Sequence, residues 1–527
     1  MGRCASAVLI AALAVACNAD RSVGHRRRDP GALVVARAAE PLTLDPVRAT
    51  DSESIEVGGL VFEGLVRWKP GSTDVEPNLA TKWEASPDGK RWKFYLRRGV
   101  TFHDGTPLDA AAVEFSFKRL LDPQHPNYLG VTYWTGLLKD ITAVTAIDAT
   151  TVEIVVGRPY APLLGEVAMY PIVSPTAVKK WGDAFQAHPV GTGPFAFDSW
   201  TAGESVVVNR YTKYWGTPAL LDRIVFRVVI DARQRLIDLE SGSVDLAASI
   251  RPDEQPFVEL HPDLRLEHTP GNDVSYLAFN VTKPPFDNRE VRRAANHAVN
   301  KEPIIKLAFQ GRAIAADGPL PPTQWGYHKP RARYAFDPGL AKKILEAASL
   351  AGTFDGSKRY KLYAPSTPRP YIQSPERVAR FLQAALEQVG IQTELVLQPY
   401  QEHRTAVEAG LHDLALFGWI GDTGDPDNFL YVLFHSDNTV LESAQNIAFY
   451  RDETVDKLLI EAQGSVDEQV RIGLYRAAQD KIAEDCPWVP IAHSEYVVAV
   501  RAELEGVVLS PLGHPVYARI HRRKDVR

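Results

Sequence analysis

The sequence predicts an α/β or α+β body, and three observations carry that prediction. From Val35 onward, short alternating runs, helical periodicities and turn clusters succeed one another with no repeat of fixed period. The stretch from Arg359 to Trp419 reads as strand, helix, strand, helix, strand. The 527 residues, 45% hydrophobic and 24% charged with no low-complexity tract, imply two to four folded domains rather than a disordered or fibrous chain. The formal net charge of -6 speaks against nucleic acid as a partner, because no basic field is present to neutralise phosphates. The basic runs "HRRR" (His25 to Arg28) and "RIHRRKDVR" at the C-terminus read as solvated tails.

In chain order, the first element is a targeting segment, residues 1–16. One arginine precedes a largely apolar, uncharged run from Ala5 to Ala16, too short for a membrane-spanning helix but suited to a signal-peptide core. "LAVAC" resembles a bacterial lipobox, in which the cysteine, here Cys17, is acylated and becomes the mature N-terminus; a plain secretory signal cleaved near Ala16 is the alternative. Export follows from both. Residues 17–30 are polar and glycine-containing, as a tether between a lipid anchor and a folded body would be. With Cys4 removed and Cys17 acylated, only Cys486 remains, so neither an intrachain disulfide nor a cysteine metal site is expected.

The next elements come from "LATKWEASPDGKRWKFYLRRGVTFHDGTPLDAAAVEFSFKRLLDP". Trp92, Phe94 and Leu96 alternate as in a half-buried strand. Asp109 stands where an N-cap belongs, and Val113, Phe117, Leu120 and Leu121 supply a buried helix face. His103 and Asp104 read as part of a tight Asp-Gly turn rather than as metal ligands, since no further ligands sit at a useful spacing. "HPVGTGPF" (His188 to Phe195) lacks the context of a nucleotide loop and suits a chain crossing between domains. No GxSxG, HExxH, GxxxxGK[ST] or GxGxxG motif occurs.

"RYKLYAPS" then reads as a strand. Ser374 and Pro375 open a helix whose apolar face is Val378, Phe381, Leu382, Ala385, Leu386 and Val389, and Gly390 ends it. "IQTELVLQ" alternates as a strand, a second helical stretch runs through Ala409, and "DLALFGW" is the next strand. In such sheets ligands bind beyond the carboxyl ends of the strands, where Arg369 and the segment Trp419 to Asp422 fall. In "GWIGDTGDPDNFLYVLF", Asp425 before Pro426 has the layout of an N-cap, and Asp427 lies in the first turn of the following helix, where the macrodipole favours an anion. The acidic spacing does not fit an EF-hand loop. Asp422 alone is left without local employment, a binding role being favoured over a loop-turn role.

Together, "PNLATKWEASPDGKRWKFYLRRGVTFHDGTPLDAAAVEFSFKRL", "HPVGTGPF", "YLAFNVTKPPFDNREVRRAANHAVNKEPII", "GPLPPTQWGY", "YAFDPGLAKKILEAA" and "GWIGDTGDPDNFLYVLF" resemble the bacterial extracytoplasmic solute-binding proteins of peptide and nickel ABC importers, especially the dipeptide-binding branch. The resemblance implies an α/β, two-lobed periplasmic-binding-protein fold with mixed sheets, a hinge and an extra inserted domain. Lobe I would comprise residues 31–53, 191–272 and 490–527, the inserted domain 54–190, and lobe II 273–489, with hinge closure around the ligand. It implies a non-enzymatic, monomeric binding subunit, without cofactor or metal, that passes short peptides to permease subunits and touches the membrane only through its lipid.

The resemblance also matches Asp422 to the aspartate that receives a peptide's α-ammonium and Arg369, in "RPY", to the arginine that receives the α-carboxylate. The chemistry is sound: a carboxylate accepts charge-assisted bonds from an ammonium, and a guanidinium fork holds a carboxylate with two. For Trp419 and Tyr371, lining side-chain pockets and ordinary core packing stand as alternatives. Rival ligands within the family are longer peptides, glutathione, nickel chelates, haem and oligosaccharides. A chemoreceptor ligand carrier, or a secreted hydrolase using Asp422 with His435 or His493, are rivals of other kinds.

Overall fold

The protein, as a computed structural model, is described at residue 29 and residues 31–523; the signal segment, Cys17 and most of the tether lie outside the described residues. Twelve of the described strands form one mixed sheet: β1 (Ala32–Arg37), β2 (Phe195–Thr201), β3 (Ser205–Arg210), β4 (Arg223–Val228), β5 (Leu246–Ala247), β6 (Leu264–Pro270), β7 (Asp273–Phe279), β8 (Ala313–Ala315), β9 (Tyr360–Pro365), β10 (Thr393–Gln398), β11 (Leu414–Ile420) and β12 (Trp488–Arg501). Their order is β10-β9-β11-β7-β12-β5-β1-β4-β3-β2, with β6 and β8 also paired to β12.

β12 is common to both halves of this sheet. Its first residues pair with β7, the stretch Ala492–Ser494 pairs with β8, and Glu495–Arg501 pairs with β6. The two halves adjoin along β12. Where they meet, the Asp273 carboxylate accepts hydrogen bonds from the Ser494 backbone N–H (2.8 Å) and from its hydroxyl, and burial pushes that carboxyl up to about 6.

A separate four-stranded antiparallel sheet, Ala80–Ala85, Arg91–Leu96, Thr151–Val156 and Ile141–Asp148, lies within the segment 54–190. Trp92, Phe94 and Leu96 all face its core, as their alternation requires. The helix Ala110–Leu121 covers it, capped by Asp109, whose carboxylate accepts from Ala112 N–H at 2.9 Å. His103 belongs to the expected turn and bonds the Gly193 carbonyl through Nε2 (2.9 Å), tying the inserted domain to the crossing segment.

The strand–helix alternation from residue 360 to residue 420 is as the periodicity predicts, with the helix Pro375–Val389 ending at Gly390 in the left-handed conformation (φ 105°). One expectation fails at the C-terminal basic run. Arg522 pairs with Asp245 (2.9 Å) and Glu503 (2.6 Å), and Arg523 with Glu505 (2.8 Å), so these residues are folded onto the body rather than left as a solvated tail. Matching carboxylates, distant in sequence, decide it.

Candidate functional site

β9 pairs in parallel with both β10 and β11, so the three strands end at the same edge of the sheet. The loop after β9 carries Arg369 and Tyr371, and the loop after β11 carries Asp422. The first loop is pinned by reciprocal backbone bonds between Arg369 and Ile372 (3.0 and 2.9 Å). The Arg369 guanidinium carbon lies 3.8 Å from the centre of the Tyr400 ring, a cation–π contact. Its Nε is buried without an acceptor, and no carboxylate among the described residues pairs with it.

Tyr371 bridges the two loops. Its ring, 3% exposed, lies directly on Gly418 of β11: a Cβ at Gly418 would come within 2.3 Å of Tyr371 Cδ2. Glycine at 418 is therefore what lets the arginine loop close against the strand that leads to Asp422. Beyond it, the Asn428 side-chain oxygen accepts from both the Trp419 indole N–H (3.1 Å) and the Asp422 backbone N–H (3.0 Å), fixing the second loop. Trp419 is thus held in place while still half-buried.

Asp422 accepts a 3.0 Å hydrogen bond from the Tyr133 hydroxyl, on the helix Tyr133–Leu137. Burial raises its carboxyl to about 6, with the Tyr133 bond opposing the rise. No cation among the described residues pairs with it. A charge held in that condition is costly, and a cationic group entering the site would relieve it.

The other two aspartates are occupied, though not quite as the sequence suggests. The helix runs from Asp427 to Phe434 with Pro426 at its cap position. Asp425 does accept the Asp427 N–H (3.0 Å), but its main partner is Arg471, whose guanidinium grips it with two bonds of 2.8 and 2.7 Å. Asp427 lies in the first turn, yet the macrodipole does not decide its charge. Burial, reinforced by the neighbouring Asp425, pushes its carboxyl up to about 7.

Residues between 54 and 190 meet residues between 273 and 489 beside this segment. Trp68 Nε1 donates to Thr423 O (3.3 Å), Thr73 Oγ1 to Thr323 O (2.9 Å) and Ala161 N–H to Gln463 O (2.7 Å). Gly165 sits so close that a Cβ would come within 2.4 Å of Thr423 O. Next to it, Glu166 accepts from the Tyr160 hydroxyl (2.6 Å), while Asp427 accepts from Gln463 Nε2 (3.0 Å). The remaining oxygens, Glu166 Oε2 and Asp427 Oδ1, are both buried without a donor. Burial pushes Glu166 up to about 8, and Asp427 adds to the rise. Tyr133, Glu166, Gln463 and Arg471 carry no sequence motif; only their meeting in space marks them.

The histidines of the hydrolase reading have other partners. His493 bonds the Asp273 carbonyl through Nδ1 (2.7 Å), and burial holds its imidazole down to about 4. His435 lies beside Asp437 and Asp456. Among the described residues no set of three or more His, Cys, Asp or Glu is arranged to hold a metal ion, and no helix is long and apolar enough to cross a membrane.

Residues 74–440 match the family of bacterial extracellular solute-binding proteins, family 5, middle region. Heme-binding protein A of Haemophilus influenzae is 32% identical over 539 residues, 97% of each chain. The dipeptide-binding protein of Escherichia coli K12 is 33% identical over 503 residues, 91% of this chain and 92% of that one. The solved structure of HbpA2 from Haemophilus parasuis superposes with a TM-score of 0.87 at 29% identity, over 94% of this chain and 100% of that one. The chain belongs to the family 5 solute-binding proteins, the two-lobed binding subunits of ABC importers.

Proposed function

We propose that this protein captures short peptides, above all dipeptides, by closure of its lobes and delivers them to the permease subunits of an ABC importer. The observation that carries this reading is a pair of charges unmatched among the described residues: Asp422 without a cation and Arg369 without a carboxylate, beyond the carboxyl ends of the paired strands β9 and β11. A zwitterion with an ammonium at one end and a carboxylate at the other supplies both partners at once. The dipeptide-binding relative supports the same ligand class. Trp419 and Tyr371 flank the two charges, Trp419 toward the ligand's side chains and Tyr371 as the support of the arginine loop.

In this reading lobe I comprises 31–53, 191–272 and 490–527, the inserted domain 54–190 and lobe II 273–489. The mature protein is a monomer held outside the cytoplasm by a lipid on Cys17, and Cys17→Ala should release it from membranes into the soluble fraction. The deciding experiment is calorimetry with a free amino acid, a di-, a tri- and a pentapeptide, and haemin. Each added residue moves the peptide's termini apart by about 3.3 to 3.6 Å, and a stranded buried charge costs on the order of several kcal/mol. Dipeptides should therefore bind at least about a hundredfold tighter than tripeptides. Equal affinity across peptide lengths, or haemin binding that outcompetes dipeptide, would overturn the assignment.

A further inference from the structure

Gln463, the penultimate residue of the helix Glu453–Gly464, is 1% exposed, and its carbonyl and both ends of its amide are engaged. The backbone carbonyl accepts from Ala161 N–H at 2.7 Å, Oε1 accepts from the Arg158 guanidinium, and Nε2 donates to Asp427 Oδ2 at 3.0 Å. The other nitrogens of Arg158, Nε and Nη2, each hold an Asp140 oxygen at 3.1 Å. This contact can part without stranding a charge. Arg158 keeps Asp140 and Asp427 keeps Gln463, while the groups that lose a partner, the Gln463 carbonyl and Oε1 and the Ala161 N–H, are neutral and can turn to water. Among the described residues, no strand of the four-stranded sheet pairs with one of the twelve, so no ladder of backbone bonds closes this seam.

The same stretch continues into the helix Leu163–Met169, where Gly165 meets Thr423, the residue after Asp422. A Cβ at Gly165 would come within 2.4 Å of Thr423 O and 3.1 Å of Thr423 Cβ. That oxygen belongs to the backbone and also accepts from Trp68 Nε1, so no side-chain rotation makes room for a methyl group. The two segments would have to stand apart. The seam therefore flanks Asp422, while Arg158 and Gln463 direct their side chains to Asp140, Asp427 and each other.

We propose that Arg158, Gln463 and Gly165 form a clasp that holds residues 54–190 shut over the Asp422 loop once a ligand has entered, and so sets how slowly the ligand leaves. The proposal rests on the capture reading above. Arg158 and Gln463 act as positioning residues: their bonds form after the ligand is seated, so losing them speeds release and leaves association nearly unchanged.

The test is stopped-flow tryptophan fluorescence of the mature full-length protein with the dipeptide alanylalanine, read as separate association and release rates, together with hydrogen exchange at the Ala161 amide. Gln463→Ala and Arg158→Met should each release the dipeptide about tenfold faster, with association within about twofold of wild type. Gly165→Ala guards against a mere folding defect, because alanine is a better helix former than glycine. It should speed release equally while leaving the thermal midpoint of the peptide-free protein no lower than wild type. Gln463→Glu sets a carboxylate against Asp427 and should release as fast as Gln463→Ala; adding Asp427→Asn removes that repulsion, leaves Arg158 a charged partner and should restore slow release. Saturating dipeptide should slow exchange at the Ala161 amide about tenfold in wild type and leave it unchanged in Gly165→Ala. Release from the three single variants at the wild-type rate, or a wild-type Ala161 amide equally protected with and without bound dipeptide, overturns the clasp alone. Failure of the wild type to bind alanylalanine at all overturns the short-peptide reading and the clasp with it.

Discussion

Dipeptide affinity should depend on pH in a form that Asp422 dictates. In the structure its carboxyl is raised from the ordinary 3.8 to about 6 by burial, equivalent to about 3 kcal/mol at 1.36 kcal/mol per tenfold in proton affinity. An ammonium needs the ionised form, so binding below pH 6 must first release a proton. Affinity should fall about tenfold for each pH unit below 6 and level off above it, until the peptide's own α-amino group deprotonates near about 8. At pH 5 about one molecule in ten carries the carboxylate, which predicts a roughly tenfold weaker dissociation constant than at pH 7. Calorimetry from pH 4.5 to 9 measures this directly. Asp422→Asn should abolish the acid limb together with most of the affinity. It should also stabilise the empty protein at pH 7 by up to about 3 kcal/mol, because a carboxyl with a raised folded pKa costs stability as pH climbs above its ordinary value. A flat affinity between pH 4.5 and 6.5, or an acid limb that survives in Asp422→Asn, would refute the reasoning.

Three further outcomes are expected. Arg369→Ala should weaken free dipeptides strongly and C-terminally amidated ones little, as paired calorimetric titrations would reveal; equal losses would remove the carboxylate contact. Glu166 holds its proton when folded up to about pH 8, against an ordinary 4.5, so the wild type should lose stability as pH rises between those values. Glu166→Gln keeps an acceptor for Tyr160 and should raise the melting temperature at pH 8 by at least about 3 °C while changing it little at pH 4.5, as scanning calorimetry at both pH values would show. Arg471→Met strands the buried Asp425 carboxylate and should cost about 3–5 kcal/mol in chemical denaturation, part of it recovered by adding Asp425→Asn.

What the sequence made legible was local. The strands and helices from residue 360 to residue 420 follow from periodicities and caps that act over a few residues, and Ser374, Pro375 and Gly390 mark one helix's ends by their own chemistry. Asp422 was singled out by elimination, through local duties for Asp425 and Asp427 that the structure only partly gives them. What lay hidden was every pairing across the cleft. Tyr133 meets Asp422 from 289 residues away, and Arg471, far downstream of Asp425, takes over the side chain that local rules assign to a helix cap. The macrodipole argument for Asp427 fails for the same reason. Local rules price the first turn as though it were solvated, while tertiary packing buries it near Glu166.

The sharing of β12 sets a condition on how the protein is made. Every other strand of the twelve-stranded sheet precedes it in the chain, and it supplies the inner partner for β7 on one side and for β5 and β6 on the other. A chain emerging from the N-terminus can pair β10-β9-β11-β7 and β5-β1-β4-β3-β2, but it neither joins these two groups nor pairs β6 and β8 until the stretch from Trp488 to Arg501 arrives. The inserted domain, with its own four-stranded sheet, is under no such restriction. Synthesis halted before Trp488 would accordingly leave the inserted domain with its sheet complete and both lobes unfinished.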